Sequence, residues 1–408
     1  MRRVAVLGGT EAVLEAAAEA GVTVVLLQHP GLVTPRARQL CEQVVEADLD
    51  DVAAVTAAVA GLHRRRPFDR VLSLTEPCLV LATELNHLLG LPGNLPQVSR
   101  ALKDKHAMRV LMAAAGLSPV RFRIVSSLAE CRDFRASVGG RIVVKPPRGA
   151  GSLGVCEIAS DEAERGYWQH DGAACAGPRL AEEFLVGREI SVETVSHRGR
   201  HLVLAITEKE LGPGFVEIGH YVPARISRPE HEAAAGAAVR FLTAVGLSEG
   251  PAHTEIILTA DGPRIVESHD RIGGGNLATV VRLAHGVDLV RWALTVPLGL
   301  EALPEHAPEA TGGAAVRFIV PEPGVVSGIA GLDAARGVPD TTLHFPLAVG
   351  ATVPQLRSSL DRVNGHVIGR GPDTRSAVSR CEEVLAALRV DTAPGPRPAA
   401  ATGARPAE

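Results

Sequence analysis

The sequence predicts a multidomain chain that combines an α/β class with an α+β class. Three observations carry this. At 408 residues the chain is longer than one hydrophobic core ordinarily serves, which implies roughly two to four domains or subdomains. Its first hundred residues alternate strand-like apolar runs with helical runs. From about residue 97 the strand-like runs instead follow one another across short turns, and with 46% apolar residues both regions have enough material for a core.

In the first region "VAVLGG" reads as a buried strand and "EAVLEAAAEAG" as a helix ending on Gly21. "VTVVLL" is a second strand, and "FDRVLSLT" a third after a helical stretch. Strand, helix, strand in succession predicts a parallel sheet with helices on its faces. Gly8 and Gly9 sit where the first strand turns into its helix; without the full dinucleotide fingerprint the simple reading is a tight turn. The apolar run Val4–Leu7 is too short for a secretion signal, and nothing approaches a membrane span.

In the second region "SRALKDKHAMRVLMAAAG" reads as one long helix closing on Gly116. "VRFRIV", "RIVVKPP", "GVCEIA", "RLAEEFL", "REISVETVSH" and "RHLVLAITE" follow as strands, which indicates antiparallel sheet. A helix near 229–245 leads to two strands, 251–259 and 263–270, joined by the turn Ala260-Asp261-Gly262, and two helices come next. A third region begins at about 313 and ends in the helix "TRSAVSRCEEVLAALRV". The Pro/Ala/Gly-rich tail is expected to be disordered.

Composition excludes some function classes. A net charge of -4 and 3% aromatic residues give no reason to expect a nucleic-acid or anionic-membrane partner. Six cysteines without a CxxC pair read as reduced, mostly buried thiols. The expectation is a cytoplasmic enzyme.

Two motifs carry chemistry. "KPPRGAGSLGV" spells GxGxxG through Gly149, Gly151 and Gly154, but it joins two strands and does not open a helix. Such a loop, with free backbone N–H groups, suits covering a polyphosphate. Lys145 just before it and the Ser152 hydroxyl would add donors. The second motif is the hairpin. A turn over residues 260–262 sets Glu255 directly opposite Glu267 and His253 opposite His269, all on one face. Facing carboxylates repel, and a divalent cation between them would offset the repulsion. Oxygen ligands beside a phosphate site argue for Mg²⁺; the two histidines leave Zn²⁺ or Mn²⁺ open. Arg271 continues that face. Alternation turns Ser268 and Asp270 away from His269, so the Ser-His-Asp spelling of 268–270 assembles no triad.

Taken in order, these residues resemble the ATP-grasp superfamily of carboxylate–amine ligases over residues 100 to 300. The motifs are "ALKDKHAMR", "VVKPPRGAGSLGV", "AEEFLVGREISVE" and "HTEIILTADGPRIVESHDRIGGG". The resemblance implies an N-terminal (pre-ATP-grasp) α/β domain over 1–96 and an ATP-grasp domain over 97–310 with a nucleotide-lid subdomain at about 117–186. It also implies a small C-terminal α+β domain over 311–390 and a tail from 391. Lys105, Lys145, Gly149, Gly151 and Ser152 would bind ATP phosphates. Glu182 and Leu185 would meet adenine through their backbones, and Glu189 the ribose. Glu255 and Glu267 would bridge Mg²⁺, two ions being implied and Mn²⁺ an alternative. His269 stands where the family usually has Asn as a further ligand. Arg271, with Lys145, would stabilise charge on a reacting acyl phosphate.

"FVEIGHYVPA" and the third region's "PGVVSGIAG" and "NGHVIGRG" look like the L-amino-acid ligase branch, whose members join amino acids into dipeptides, often for small antibiotics. On that likeness Glu217 and His220 would lie near substrate. Gly273, Gly274, Gly275 and Asn276 open a helix whose free N–H groups suit a carboxylate or oxyanion. The expected partners are a small-molecule carboxylate and an amine, and a homodimer is the default assembly. Two alternatives stand beside this: a biotin-carboxylase or purine-pathway type of enzyme using bicarbonate or formate, and an ATP-binding regulatory protein without turnover.

Overall fold

The computed structural model describes residues 2–171 and 177–394. Its N-terminal part is a four-stranded, wholly parallel sheet in the order Gln43–Glu46, Thr23–Gln28, Arg3–Leu7, Arg70–Leu72. Apolar clusters cover both faces, as a buried parallel sheet requires. The strand Gln43–Glu46 has no counterpart in the sequence reading because "QVVE" is too short and too polar to stand out.

The long helix expected over 99–116 is two helices, Pro96–Leu102 and Lys105–Ala114. Asp104 divides them: its carboxylate accepts hydrogen bonds from the His106 and Ala107 N–H groups, at 3.0 and 3.1 Å. An N-cap of this kind competes with helix continuation, and here it fixes Lys105 at the first position of the second helix.

A lid follows. Its sheet, entirely antiparallel, runs Phe122–Val125, Arg179–Glu183, Ile142–Lys145, Cys156–Ile158. The glycine loop is the connection between its last two strands. The central sheet has eight antiparallel strands in the order Gly262–His269, Gly250–Thr259, Gly187–His197, Arg200–Leu211, Glu217–Val222, Gly313–Phe318, His366–Gly371, Thr341–His344. The helix Arg228–Val245 seals one face with Phe241 and Leu242 against Ile190, Ile256 and Ile265. Because strands alternate, that packing leaves Glu189, Glu193, Lys209 and Glu255 to the other face, and a bulge after Ile265 brings Glu267 there as well.

Residues 313–371 extend this central sheet through the pairing of Gly313–Phe318 with Glu217–Val222. A separate three-stranded sheet holds Thr352–Val353, Gly324–Ala330 and Arg389–Ala393. That last strand corrects the tail boundary at 391, since residues 391–393 pair with Gly324–Ala330. Residues 395–408 of the expected disordered tail, and Cys175, lie outside the described residues. Cys78, Cys131 and Cys381 are buried thiols. Among the described residues no helix is long and apolar enough to cross a membrane.

Candidate active site

The hairpin delivers its acids to one place by a route the sequence did not show. Its turn has two residues, not three, pairing Thr259 with Gly262, which shifts the register by one. A bulge at Val266 shifts it back, so Glu255 faces Glu267 and His253 faces His269 as expected. Ser268 instead bonds Thr254 across the ladder at 2.8 Å, and Asp270 bonds Ser99; the triad spelling has no chemical meaning here.

A cleft of about 290 Å³ separates the lid from this hairpin, lined by Lys105, Lys145, Glu182, Leu185, Glu189, Glu255 and Glu267 among others. A smaller chamber of about 120 Å³ adjoins it below the glycine loop, where Glu217, His220, His269, Arg271 and Gly274 meet Ser152 and Gly151. Sequence-predicted residues thus converge on two adjoining spaces. Gly273 lines a neighbouring cavity of about 410 Å³ against the N-terminal sheet. Gly275 and Asn276 line neither cleft nor chamber. A Cβ at Gly275 would lie 2.7 Å from His220 Nε2, and Asn276 is the left-handed N-cap of the helix Leu277–His285, its side chain making no cap bond.

Every cation in the cleft has an acidic partner. Lys105 Nζ lies 2.5 Å from Glu267 Oε2 and donates to Gly149 O at 2.9 Å. Lys145 pairs with Glu182 at 2.6 Å, and Arg109 pairs with the other oxygen of that carboxylate. Lys209 meets three carboxylates, Glu217 at 2.6, Glu255 at 2.8 and Glu189 at 3.2 Å. Burial alone would strip Lys209 of its proton; these acids hold its pKa well above the ordinary lysine value instead. Burial pushes the Glu182 carboxyl up, but Arg109 and Lys145 outweigh it and hold it at about 2. Glu189 behaves oppositely: burial, with repulsion from Glu255 and Glu217, carries it up to about 7 against the pull of Lys209.

The histidines divide in the same way. His220 is fully enclosed, both ring nitrogens lack a hydrogen-bond partner, and burial lowers it to about 4, leaving a neutral imidazole. His253 is raised to about 9 because Glu193, 2.9 Å away, overcomes its burial. His269 lies 3.4 Å from both Glu267 and Glu76, and Glu267 raises it against burial.

The acid pair fits a divalent cation by its chemistry. Two carboxylates face each other, and Glu267 Oε2 is buried without a hydrogen bond of good geometry although Lys105 lies beside it. Their oxygens are spread around the cleft, Glu255 being drawn toward Lys209 and His253. Among the described residues the trio whose ligand atoms all lie within 4.8 Å is His29, Asp48 and Asp50, half-buried to exposed in the loops that follow two strands of the N-terminal sheet, and none of the three lines the cleft.

The sequence motifs assign no role to four residues of this site, Lys209, Arg109, Glu76 and Arg362. Lys209 had a signal, since "TEKEL" alternates and sets it on the face of Glu189 and Glu255. Glu76 follows the last parallel strand, where ligand sites of open α/β sheets lie; it pairs with Arg271 and takes Lys103 at 2.8 Å.

Family comparisons agree with this layout. Models described as ATP-grasp N-terminal domain, ATP-grasp domain and L-amino acid ligase C-terminal domain 2 match residues 14–93, 138–279 and 317–393. The chain is 28% identical to alanine–anticapsin ligase of Bacillus subtilis over 51% of its own length and 49% of that protein's. It is also 28% identical to carnosine synthase 1 of Mus musculus, over 74% of this chain and 39% of that one. The chain therefore spans half or less of these two relatives. An L-amino acid ligase structure from Bacillus licheniformis superposes with a TM-score of 0.79 at 23% identity, covering 96% of this chain and 99% of that one.

Proposed function

We propose that this chain, which belongs to the ATP-grasp superfamily, is an ATP-dependent carboxylate–amine ligase that joins two small molecules, at least one of them an amino acid, through an amide bond. The observation that carries this reading is the convergence of Glu255, Glu267, Lys105 and Lys145 on a lid-covered cleft that opens into a second, polar chamber. The C-terminal match to an L-amino acid ligase domain and the ligase names of the relatives support the amino-acid class.

In this reading ATP lies in the larger cleft, with adenine near Leu185 and Glu182, ribose at Glu189, and phosphates between Lys105, Lys145 and the glycine loop. Glu255 and Glu267, with His269 beside them, would hold Mg²⁺ (two ions), or Mn²⁺, which neutralises phosphate charge when bound. A carboxylate oxygen of the acid attacks the γ-phosphorus, and ADP leaves. Arg271 and Lys145 stabilise the charge on the resulting acyl phosphate. The ammonium of the second substrate first loses one proton to solvent; the free amine then attacks the acyl carbon, the bond from acyl carbon to phosphate oxygen breaks, and the departing phosphate takes the second proton. Such transfer is mainly positioning and charge stabilisation. Glu217 and His220 would orient the amine, and Gly274, the residue of the glycine turn that lines the chamber, would receive the acid's oxygens. The lid excludes water that would hydrolyse the acyl phosphate.

A screen of ADP release over pairs of amino acids, with product mass measured, tests this. Release that needs two amino acids and yields their dipeptide supports it. Tight ATP binding without turnover on any acid would instead make the chain a silent nucleotide binder.

A further inference from the structure

One wall of the small chamber is built by a residue that none of the ATP motifs contains. Arg362 follows the 3₁₀ turn Ser359–Asp361 in the C-terminal region, and its side chain is 9% exposed. Its guanidinium lies 4.2 Å over the Phe318 ring. Nε donates to Ser359 O at 3.1 Å and Nη1 to Glu217 O at 3.0 Å. The Glu217 carboxylate is 3.6 Å away and bonds Lys209 more closely, at 2.6 Å. Nη2 therefore keeps its hydrogens without a partner among the described residues. His220 stands on the same wall, edge-on to Phe318, with both ring nitrogens buried and without a hydrogen bond, the Glu217 carboxylate lying 3.7 Å from Nε2. The turn is in place over the chamber, because the Ser359 N–H donates to Gly151 O of the glycine loop at 2.9 Å.

We infer, resting on the ligase reading, that Arg362 is a specificity residue that takes the free carboxylate of the amine-donating substrate, so that this substrate is itself an amino acid and not a simple amine. The acid that is activated spends its carboxylate at the phosphates. An amino acid arriving as amine carries a second carboxylate that survives into the product and must enter a small enclosed space. An unpaired buried carboxylate is costly. Lys105, Lys145, Lys209 and Arg271 are each held by Glu267, Glu182, three glutamates and Glu76, and the first two face the phosphate side. Arg362 offers a planar donor edge suited to a carboxylate. The ring beneath it and two carbonyls already fix its position, so little freedom is lost on binding.

The test compares each amine donor that wild type accepts with its α-carboxamide, an amine of nearly the same shape without the charge. Wild type is expected to favour the acid, and Arg362→Met to reduce that preference about 10–100-fold, the range of a charged hydrogen bond. Arg362→Lys should recover part of it. Because the readout is a ratio within one preparation, loss of folded protein does not imitate it. If Arg362→Met turns over too slowly, the same ratio is read from equilibrium binding of acid and amide beside a non-hydrolysable ATP analogue. An acid-over-amide preference unchanged in Arg362→Met overturns the assignment. Failure of the ligase reading looks different: wild type itself would form no hydroxamate when hydroxylamine is offered with any acid and ATP.

Discussion

Arg109 should be the residue whose loss most weakens the join between the lid and the hairpin that carries Glu255 and Glu267. It is 2% exposed; Nε pairs with Glu182 of the lid, while Nη1 donates to Ile265 O at 2.6 Å in the hairpin. Glu182 sits at about 2 against an ordinary 4.5, and a difference of that size is worth about 3 kcal/mol in favour of the folded state at neutral pH. Arg109→Met removes the larger of its two stabilising partners and leaves a buried carboxylate with Lys145 alone, a loss of about 3–5 kcal/mol. At about 1 °C per kcal/mol for a chain of this length, thermal denaturation should show a midpoint lowered by about 5 °C. The pH dependence has a definite sign. A depressed carboxyl contributes above its unfolded value and loses that contribution as pH falls through its folded value. The gap between wild type and variant should therefore be full at neutral pH and narrow below about pH 4.5, toward 2. Adding Glu182→Gln should deepen the loss, because buried Lys145, whose ion pair is with that carboxylate, is then left without it, yet the two costs should not simply add, since each substitution alone already breaks the Arg109–Glu182 pair. A variant melting within about 2 °C of wild type, or strict additivity of the two substitutions, refutes the account.

Glu267→Gln should abolish ADP release while far-UV circular dichroism stays unchanged; normal turnover would remove the metal assignment. Gly151 has φ +67°, and a Cβ there would overlap Ser359 Oγ, so Gly151→Ala should cost about 1–2 kcal/mol in the closed loop. That predicts a several-fold higher KM for ATP and more ADP released per amide formed, both measurable by coupled assay; unchanged values would mean the loop does not close in the reaction. His269→Asn replaces an imidazole with an oxygen donor, which Mg²⁺ prefers. The turnover ratio with Mn²⁺ over Mg²⁺ should fall, and a constant ratio would place His269 outside the metal's reach.

The site was legible wherever alternation alone carries the information. Two-residue periodicity put Glu255, Glu267, His253 and His269 on one face, and it did so despite a wrong turn length, because the bulge at Val266 cancelled the shift. A turn and a bulge cannot be separated from sequence when their effects on register offset each other. What stayed hidden came from elsewhere in the chain. Arg362 reaches the chamber, and Glu76 the neighbouring cavity beside Arg271, from opposite ends of the sequence, and only the fold places them there. Asp104 shows the third limit: "ALKDKHAMR" has helical periodicity throughout, yet a short acid that caps as well as it continues split the helix in two.

The acids around the cleft also change what their own substitution means. A buried lysine without a counter-ion tends to lose its proton, and a neutral amine attracts phosphate poorly. Glu267 raises the pKa of Lys105 against burial, as the three glutamates raise that of Lys209. These carboxylates therefore keep the cleft's cations charged before any phosphate arrives, and a phosphate that takes over a lysine exchanges one anionic partner for another at little desolvation cost. Glu267→Gln would then remove two things together, a cation ligand and the charge that holds Lys105 protonated. The two are separable by pH. If Lys105 protonation is the weaker link, lowering pH should restore ATP binding to the variant while leaving ADP release absent. If binding is unaffected at every pH, the lysine keeps its proton through Glu255 and Glu76, the remaining acids that raise it, and the carboxylate of Glu267 serves the metal alone.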